Sequence, residues 1–147
     1  MSVNKANLRL AVAALRSDQF EQGEGQLKKI TTLADGTTVV RHCCLGVFCE
    51  VAIANGLDLR VKSEDMGSGC HRVRFDDNGH SLPLRVREFY GLEDDEDDPT
   101  IYKDDKEFFG SAVWANDIAG WNFGQIAEGI ESYYQLETDD GPLVQKD

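Results

Sequence analysis

Residues 43–54, CCLGVFCEVAIA, are the stretch that decides the predicted fold, because Glu50 is their only polar side chain. A helix that is apolar on every side has to be buried on most of its surface. Gly56 is placed to end such a helix in the left-handed conformation, which glycine adopts without steric cost. We therefore predict a central core helix, in which Gly46 allows a close neighbour.

Two elements are predicted before this helix. Residues 7–17 repeat apolar side chains with the spacing of an amphipathic helix. The apolar positions are Leu8, Ala11, Val12 and Leu15. Residues 28–41 contain two runs of β-forming residues around Asp35-Gly36, which predicts a first hairpin.

A second hairpin and a third helix are predicted after the central helix. Residues 70–82 alternate apolar and basic side chains and then reach Asn78-Gly79, the strongest short hairpin signal. Pro83 suits the first turn of a helix that Gly91 would end. The apolar face of that helix comprises Leu82, Val86, Phe89 and Tyr90.

Two capped helices are predicted in the C-terminal part. Ser111 is a suitable N-cap for a short helix. Asn122 and Gln125 have the spacing of a capping box, with Trp121 and Ile126 as the apolar staple around it. The buried stripe of the last helix is predicted to be Phe123, Ile126, Ala127, Ile130 and Tyr134.

The predicted fold class is α+β: a buried central helix, two β-hairpins and three or four amphipathic helices. Residues 1–136 are expected to form a single domain, and residues 137–147 a frayed tail. The chain of 147 residues has no long apolar segment at its start or elsewhere, so we expect a cytoplasmic protein. Its four cysteines are poorly spaced for disulfides and are expected to be free thiols.

The negative charge is concentrated in the C-terminal part. Residues 1–90 carry twelve Lys and Arg against eleven Asp and Glu, whereas residues 91–147 carry three against sixteen. A field of that sign repels phosphate backbones, so direct nucleic-acid binding would need a segregated basic face. The basic residues available for such a face are Arg72, Arg74, Arg85 and Arg87, which form only a small set.

Six acidic residues in succession form what we call the acidic run. It consists of Glu93, Asp94, Asp95, Glu96, Asp97 and Asp98. Like charges repel at every short spacing, so we expect an exposed loop there. The run is a candidate partner-binding surface, and solubility alone is the alternative explanation of its charge.

Three segments together resemble a known group of proteins. They are RHCCLGVFCEVA at 41–52, LPLRVREFYGL at 82–92 and AVWANDIAGWNFGQIAEGIE at 112–131. In this order and spacing they are similar to small proteins of tailed bacteriophages and prophages, many from actinobacterial hosts. The resemblance implies a phage accessory protein, and it implies no particular chemistry because the group has no assigned biochemical activity.

Catalytic and metal-binding patterns are weak. A cysteine enzyme would use Cys44, which lies near the start of a helix, but its apolar flanks favour an inert core thiol. A zinc site would combine Cys70, His71 and His80 with a helix cysteine, but the paired ligand spacing of structural zinc sites does not occur. We expect no catalytic residue, no metal and no cofactor.

Asn116, Asp117 and Trp114 are candidate ligand-binding residues. Asp117 near the C-terminal end of a helix opposes the helix dipole, so something is expected to compensate it. The alternative is that the Asn116 and Asp117 side chains cap backbone amides around Gly120. Trp114 is equally compatible with a place in the core.

Three functions follow from these patterns. The first is a non-catalytic phage accessory protein that binds a host protein in the cytoplasm, for host takeover or defence inhibition, through an acidic surface that mimics nucleic acid. The second is a protein that sequesters a small ligand or nucleotide, which would require a basic or aromatic-lined pocket. The third is an enzyme that uses Cys44.

Overall fold

The computed structural model of the protein describes residues 3–92, 99–103 and 108–136. The acidic run and the predicted tail at 137–147 lie outside these residues. The helices are α1 (Lys5–Arg16), α2 (Cys44–Ala54), α3 (Leu84–Tyr90), α4 (Ala112–Asp117) and α5 (Phe123–Tyr134). The strands are β1 (Glu21–Gln22), β2 (Lys28–Thr32), β3 (Thr38–His42), β4 (Val61–Gly67), β5 (Cys70–Phe75), β6 (Thr100–Lys103) and β7 (Phe108–Ser111).

Five of these strands form one sheet in the order β1-β3-β2-β5-β4. The short strand β1 runs parallel to β3, and the other neighbours are antiparallel. Strands β2 and β3 are the predicted first hairpin, and Gly36 in its turn has a positive φ of 90°. Helices and sheet in one domain confirm the predicted α+β class.

The second hairpin is present, but the sequence-based prediction of its position was wrong. It consists of β4 and β5, and the chain turns around Ser68 and Gly69, both with positive φ. The chain turns again at Asp76-Asp77, where both φ values are positive and Phe75 and Asn78 exchange two backbone hydrogen bonds. That geometry is typical of a two-residue hairpin turn, but only one isolated bridge follows it.

A third hairpin, β6 and β7, was not predicted. It precedes α4 directly and packs against α5. Ile101 of β6 is fully buried, and the backbone nitrogen of Thr100 donates to the Tyr134 hydroxyl at 3.0 Å. The hairpin therefore extends the core along α5.

Helix α2 is the buried central element that the sequence predicts. Eight of its eleven residues are buried, and it contacts α1, α3, α4 and β3. At Gly46 an added Cβ would lie 1.7 Å from the backbone oxygen of Leu27, so only glycine permits this approach. The helix ends at Asn55, and Gly56 follows with φ of 103°.

Helices α1 and α5 bury their predicted faces, whereas in α3 the predicted Phe89 is only half-buried. All five predicted stripe residues of α5 are buried, as are the four of α1. The predicted capping box of Asn122 and Gln125 is present, and Ser111 accepts a hydrogen bond from the backbone nitrogen of Trp114. In α3, Gly91 ends the helix in the left-handed conformation, as predicted.

Glu50, the one polar side chain of α2, forms an ion cluster with two strand residues. Its carboxylate lies 2.8 Å from His42 Nε2 and 3.1 Å from Lys28 Nζ. Burial raises the pKa of Glu50, but hydrogen bonds from His42 and Lys28 outweigh burial and bring the pKa below its ordinary value. The cluster fixes α2 against strands β2 and β3 without leaving an uncompensated buried charge.

Candidate functional site

One charged side chain from each strand of the five-stranded sheet lies in a single row. The strand registers pair these residues in succession, and paired residues on adjacent strands share one face of the sheet. The row reads Glu21, Arg41, Lys29, Arg72 and Glu64. It lies on the outer face, opposite the face on which β5 buries Val73 and Phe75.

Three adjacent cations therefore occupy the centre of the row, with a carboxylate on each side. Arg41 Nη2 lies 3.1 Å from Glu21 Oε2, and Arg72 Nη2 lies 2.6 Å from Glu64 Oε1. Lys29, between the two arginines, has no ion pair among the described residues. Like charges directly opposite each other destabilise a sheet, and Glu21 and Glu64 offset this repulsion at the two arginines but not at Lys29.

Two more cations lie on the same outer face, in the row where Lys62 pairs with Arg74. Arg74 reaches back to Glu64, at 2.9 Å. Hydrogen bonds from Arg72 and Arg74 lower the pKa of Glu64. The outer face is therefore basic, although the chain as a whole carries a net charge of −12.

A cavity of about 540 Å³ lies beside the row. The sheet contributes Lys29, Thr31, Arg41 and Glu21 to its lining. The connection between β1 and β2, together with the end of β1, contributes Gln22, Gly23, Glu24 and Gln26. The connection between α4 and α5 contributes Gly120, Trp121 and Asn122. The lining is mixed, with two cations, two carboxylates, several neutral polar groups and one indole.

Asn116 joins the two connections that line the cavity. It is 1% exposed, and its side-chain oxygen accepts from Gln22 Nε2 at 2.8 Å and from the backbone nitrogen of Cys44 at 3.2 Å. Its side-chain nitrogen donates to Gly23 O and to Asp117 Oδ1, both at 2.8 Å. All these partners agree with one orientation of the amide, which removes the ambiguity of an amide flip.

Two more bonds complete this network. Gln22 Nε2 also donates to Trp121 O at 2.8 Å, and Asp117 Oδ1 accepts from the backbone nitrogen of Gly25 at 3.1 Å. The β1–β2 connection is thus held to the α4–α5 segment by side-chain amides and one carboxylate. These bonds set the spacing of the two cavity walls.

The local capping role considered for Asn116 and Asp117 was therefore wrong. Their bonds reach residues more than seventy positions away, and neither side chain bonds the amides around Gly120 in the contacts described here. Both residues are adjacent to the cavity wall rather than part of its lining. Trp114 is 38% exposed and is not a lining residue, whereas Trp121, predicted as part of an apolar staple, is.

Sequence reasoning did not single out Lys29 and Arg41. Of the four arginines that it named, Arg72 and Arg74 lie on the basic outer face, whereas Arg85 lies on α3 and bonds Asp76. The missing signal was the register of the first hairpin. Pairing Ile30 with Val40 places Lys29 opposite Arg41, and both then face away from the core.

The helix cysteines lie in the core. Cys43, Cys44 and Cys49 are all buried, and Cys44 Sγ lies 3.6 Å from Ala112 O. Burial raises the pKa of Cys43 to about 11 and that of Cys49 well above its ordinary value. The Cys44 enzyme hypothesis therefore has no accessible thiol to support it.

The proposed zinc ligands are not brought together. Cys70 and His71 are consecutive on β5, so their side chains lie on opposite faces of the sheet. Within residues 3–92, 99–103 and 108–136, no three His, Cys, Asp or Glu side chains are grouped as a metal site would require. In the same part of the chain, every helix is too short or too polar to cross a membrane.

Fold and site together define an α+β domain with a cavity of ligand size between a basic sheet face and two polar connections. A family model described as a domain of unknown function (DUF8296) matches residues 5–134, and the chain belongs to this family. No curated protein and no solved structure matches the chain.

Proposed function

We propose that this chain is a non-catalytic binding protein that holds a small polar ligand in the cavity beside Lys29 and Arg41. The observation that carries the proposal is the combination, in one cavity lining, of the adjacent cations Lys29 and Arg41 with the aromatic residue Trp121. A pocket lined by basic or aromatic residues is the feature that separates a small-ligand sequestering protein from the other candidate functions.

The size and composition of the cavity support this proposal. Its volume of about 540 Å³ is within the range of small-molecule sites, about 300–1,000 Å³. Amide and hydroxyl groups of Gln22, Gln26, Thr31 and Asn122 supply hydrogen bonds that fix orientation. The buried bonds of Asn116 hold the walls in place before a ligand arrives, which lowers the entropic cost of binding.

The test is a ligand screen with a variant in which the cavity is filled. Thr31→Phe places a bulky ring in the lining, and Thr32→Phe, at an exposed position on the opposite face of the same strand, is its matched control. A metabolite library is screened by thermal shift. We expect a compound that stabilises the wild type and Thr32→Phe but leaves Thr31→Phe unchanged. A library without such a compound, or equal stabilisation of all three proteins, would contradict the proposal.

A second candidate function concerns the acidic run. Residues 91–147 hold all of the excess negative charge of the chain, and we propose that this part binds a basic host protein in the cytoplasm of an infected bacterium. The phage resemblance supports such a role, as do four free cysteines, which suit a reducing compartment.

A further inference from the structure

We infer that the ligand of the cavity is a phosphomonoester with a planar base, that is, a mononucleotide, whose phosphate binds at Lys29 and Arg41. This inference rests on the proposed small-ligand function and specifies its chemistry. It follows from the charge balance of the row, from the size of the cavity and from the groups on its other walls.

The charge balance favours an anion at Lys29. Directly opposed residues on adjacent strands lie about 5 Å apart, so Lys29 and Arg41, which both line the cavity, are close enough to act on one group. Arg41 is paired with Glu21 and Arg72 with Glu64, whereas Lys29 has no carboxylate partner among the described residues. A phosphate with a charge of about −1.5 to −2 would therefore neutralise the ammonium group and relieve the repulsion from both arginines.

The cavity is too large for inorganic phosphate alone. A single phosphate group would occupy only the part of the 540 Å³ that borders Lys29 and Arg41. Trp121 is an aromatic residue of the lining, and a base can stack on aromatic side chains. Stacking of a base on an aromatic side chain contributes about 1–3 kcal/mol. A phosphate joined to a planar ring system thus matches both the cations Lys29 and Arg41 and the aromatic residue Trp121.

Gln26 is one of the neutral polar residues of the lining, and its amide offers both a donor and an acceptor for the edge of a base. Of the two carboxylates in the lining, Glu21 is already paired with Arg41, and Glu24 is exposed.

The experiment compares ligands that differ only in phosphate. Calorimetric titrations use adenosine and guanosine monophosphates, the two nucleosides, inorganic phosphate and a short single-stranded oligonucleotide, with the wild type and with Lys29→Gln. Lys62→Gln is the matched control, because Lys62 is a lysine on the same sheet face that does not line the cavity. Melting temperatures first establish that all three proteins are folded.

We expect a monophosphate to bind at least tenfold more tightly than its nucleoside, Lys29→Gln to remove that difference, and Lys62→Gln to retain it. Equal binding of nucleoside and nucleotide would contradict phosphate binding at Lys29 but would leave the proposed small-ligand function intact. The same conclusion would follow if the library screen found a ligand and no phosphate compound bound. An oligonucleotide that bound more tightly than the monophosphate, and was weakened by Lys62→Gln, would show an extended nucleic-acid surface instead. Failure of both the screen and the titrations would overturn the two proposals together.

Discussion

The side-chain oxygen of Asn116 accepts a hydrogen bond from the backbone nitrogen of Cys44 at 3.2 Å, so a residue of α4 caps the N-terminus of α2. The residue at the N-cap position of α2, Cys43, makes no side-chain capping bond of its own. The central helix therefore depends on a cap that lies seventy-two positions later in the chain.

Asn116→Ala is expected to destabilise the protein by about 2–4 kcal/mol, because it leaves Cys44 N, Gly23 O and the Gln22 amide without this partner. The matched control is Asn55→Ala, which removes one local bond to Val51 O from an exposed residue and should cost less than about 1 kcal/mol. Urea unfolding measures both. Equal effects of the two substitutions would contradict a central role for Asn116.

The Asn116 cap also shows where sequence reasoning reaches its limit. Periodicity and caps predicted α1, α2 and α5 correctly, because the signal for each lies within one segment of the chain. The polar network of Asn116 is set by tertiary packing, and no local pattern encodes it. For the same reason, the sequence did not predict that Arg41, Lys29 and Arg72, which belong to three strands, lie side by side.

The misplaced second hairpin has a related cause. Asn78-Gly79 is a strong local turn signal, but the turn that forms there, at Asp76-Asp77, leads to no paired strand. Strand β4 was overlooked because all seven of its residues are exposed, so it lacks the apolar alternation by which strands are recognised. Its place in the sheet is fixed by pairing with β5 alone.

Gly46→Ala is expected to destabilise the protein by more than about 3 kcal/mol, because its Cβ would lie 1.7 Å from Leu27 O, a backbone atom. Gly124→Ala is the control, since there the added Cβ would be 3.4 Å from its nearest neighbour, Asn122 Oδ1. Alanine is the better helix former by about 0.5–1 kcal/mol, so Gly124→Ala should leave the protein as stable or more so. Thermal denaturation compares them, and similar losses in both variants would contradict the close approach of α2 to Leu27.

The ion cluster of Glu50 makes a prediction about pH. Because the pKa of Glu50 in the folded protein lies below its ordinary value of 4.5, the unfolded chain takes up this proton first as the pH falls. The carboxylate therefore stabilises the fold above about pH 4.5, and this contribution is lost as the pH falls through the folded pKa.

Glu50→Gln should consequently be less stable than the wild type at pH 7, and the difference should shrink below pH 4.5. Glu88→Gln, at an exposed position on α3, serves as the control and should change stability little at either pH. Urea unfolding across this pH range gives the differences. A gap between Glu50→Gln and wild type that stayed constant with pH would exclude the cluster as its source.

The four cysteines should divide into two classes in a thiol-labelling experiment. Cys70 is partly exposed on β5, whereas the three cysteines at 43, 44 and 49 are buried. With a small disulfide reagent at pH 8 we expect one thiol to react quickly in the native state and all four after denaturation. Cys70→Ser should abolish the fast phase. Fast native labelling that persisted in Cys70→Ser would show that a thiol of α2 or its N-cap is accessible, and the enzyme hypothesis would then stand again.

The acidic run provides the test of the second candidate function. If its field attracts a basic partner, association should depend strongly on salt, because the Debye length falls from about 10 Å at 0.1 M to about 3 Å at 1 M. The variant replaces all six acidic residues at 93–98 with Asn or Gln. A control variant neutralises Asp18, Asp58 and Glu88, which are exposed carboxylates outside the run.

Both variants are first checked for an unchanged melting temperature and then used to capture partners from host lysate at low and at high salt. We expect the wild type and the control to retain a partner at low salt and release it at high salt, and the neutralised run to bind it poorly at both. If the run serves solubility alone, its neutralisation should leave capture intact and promote self-association instead. Undiminished, salt-insensitive capture by the neutralised protein would rule out the acidic run as a binding surface.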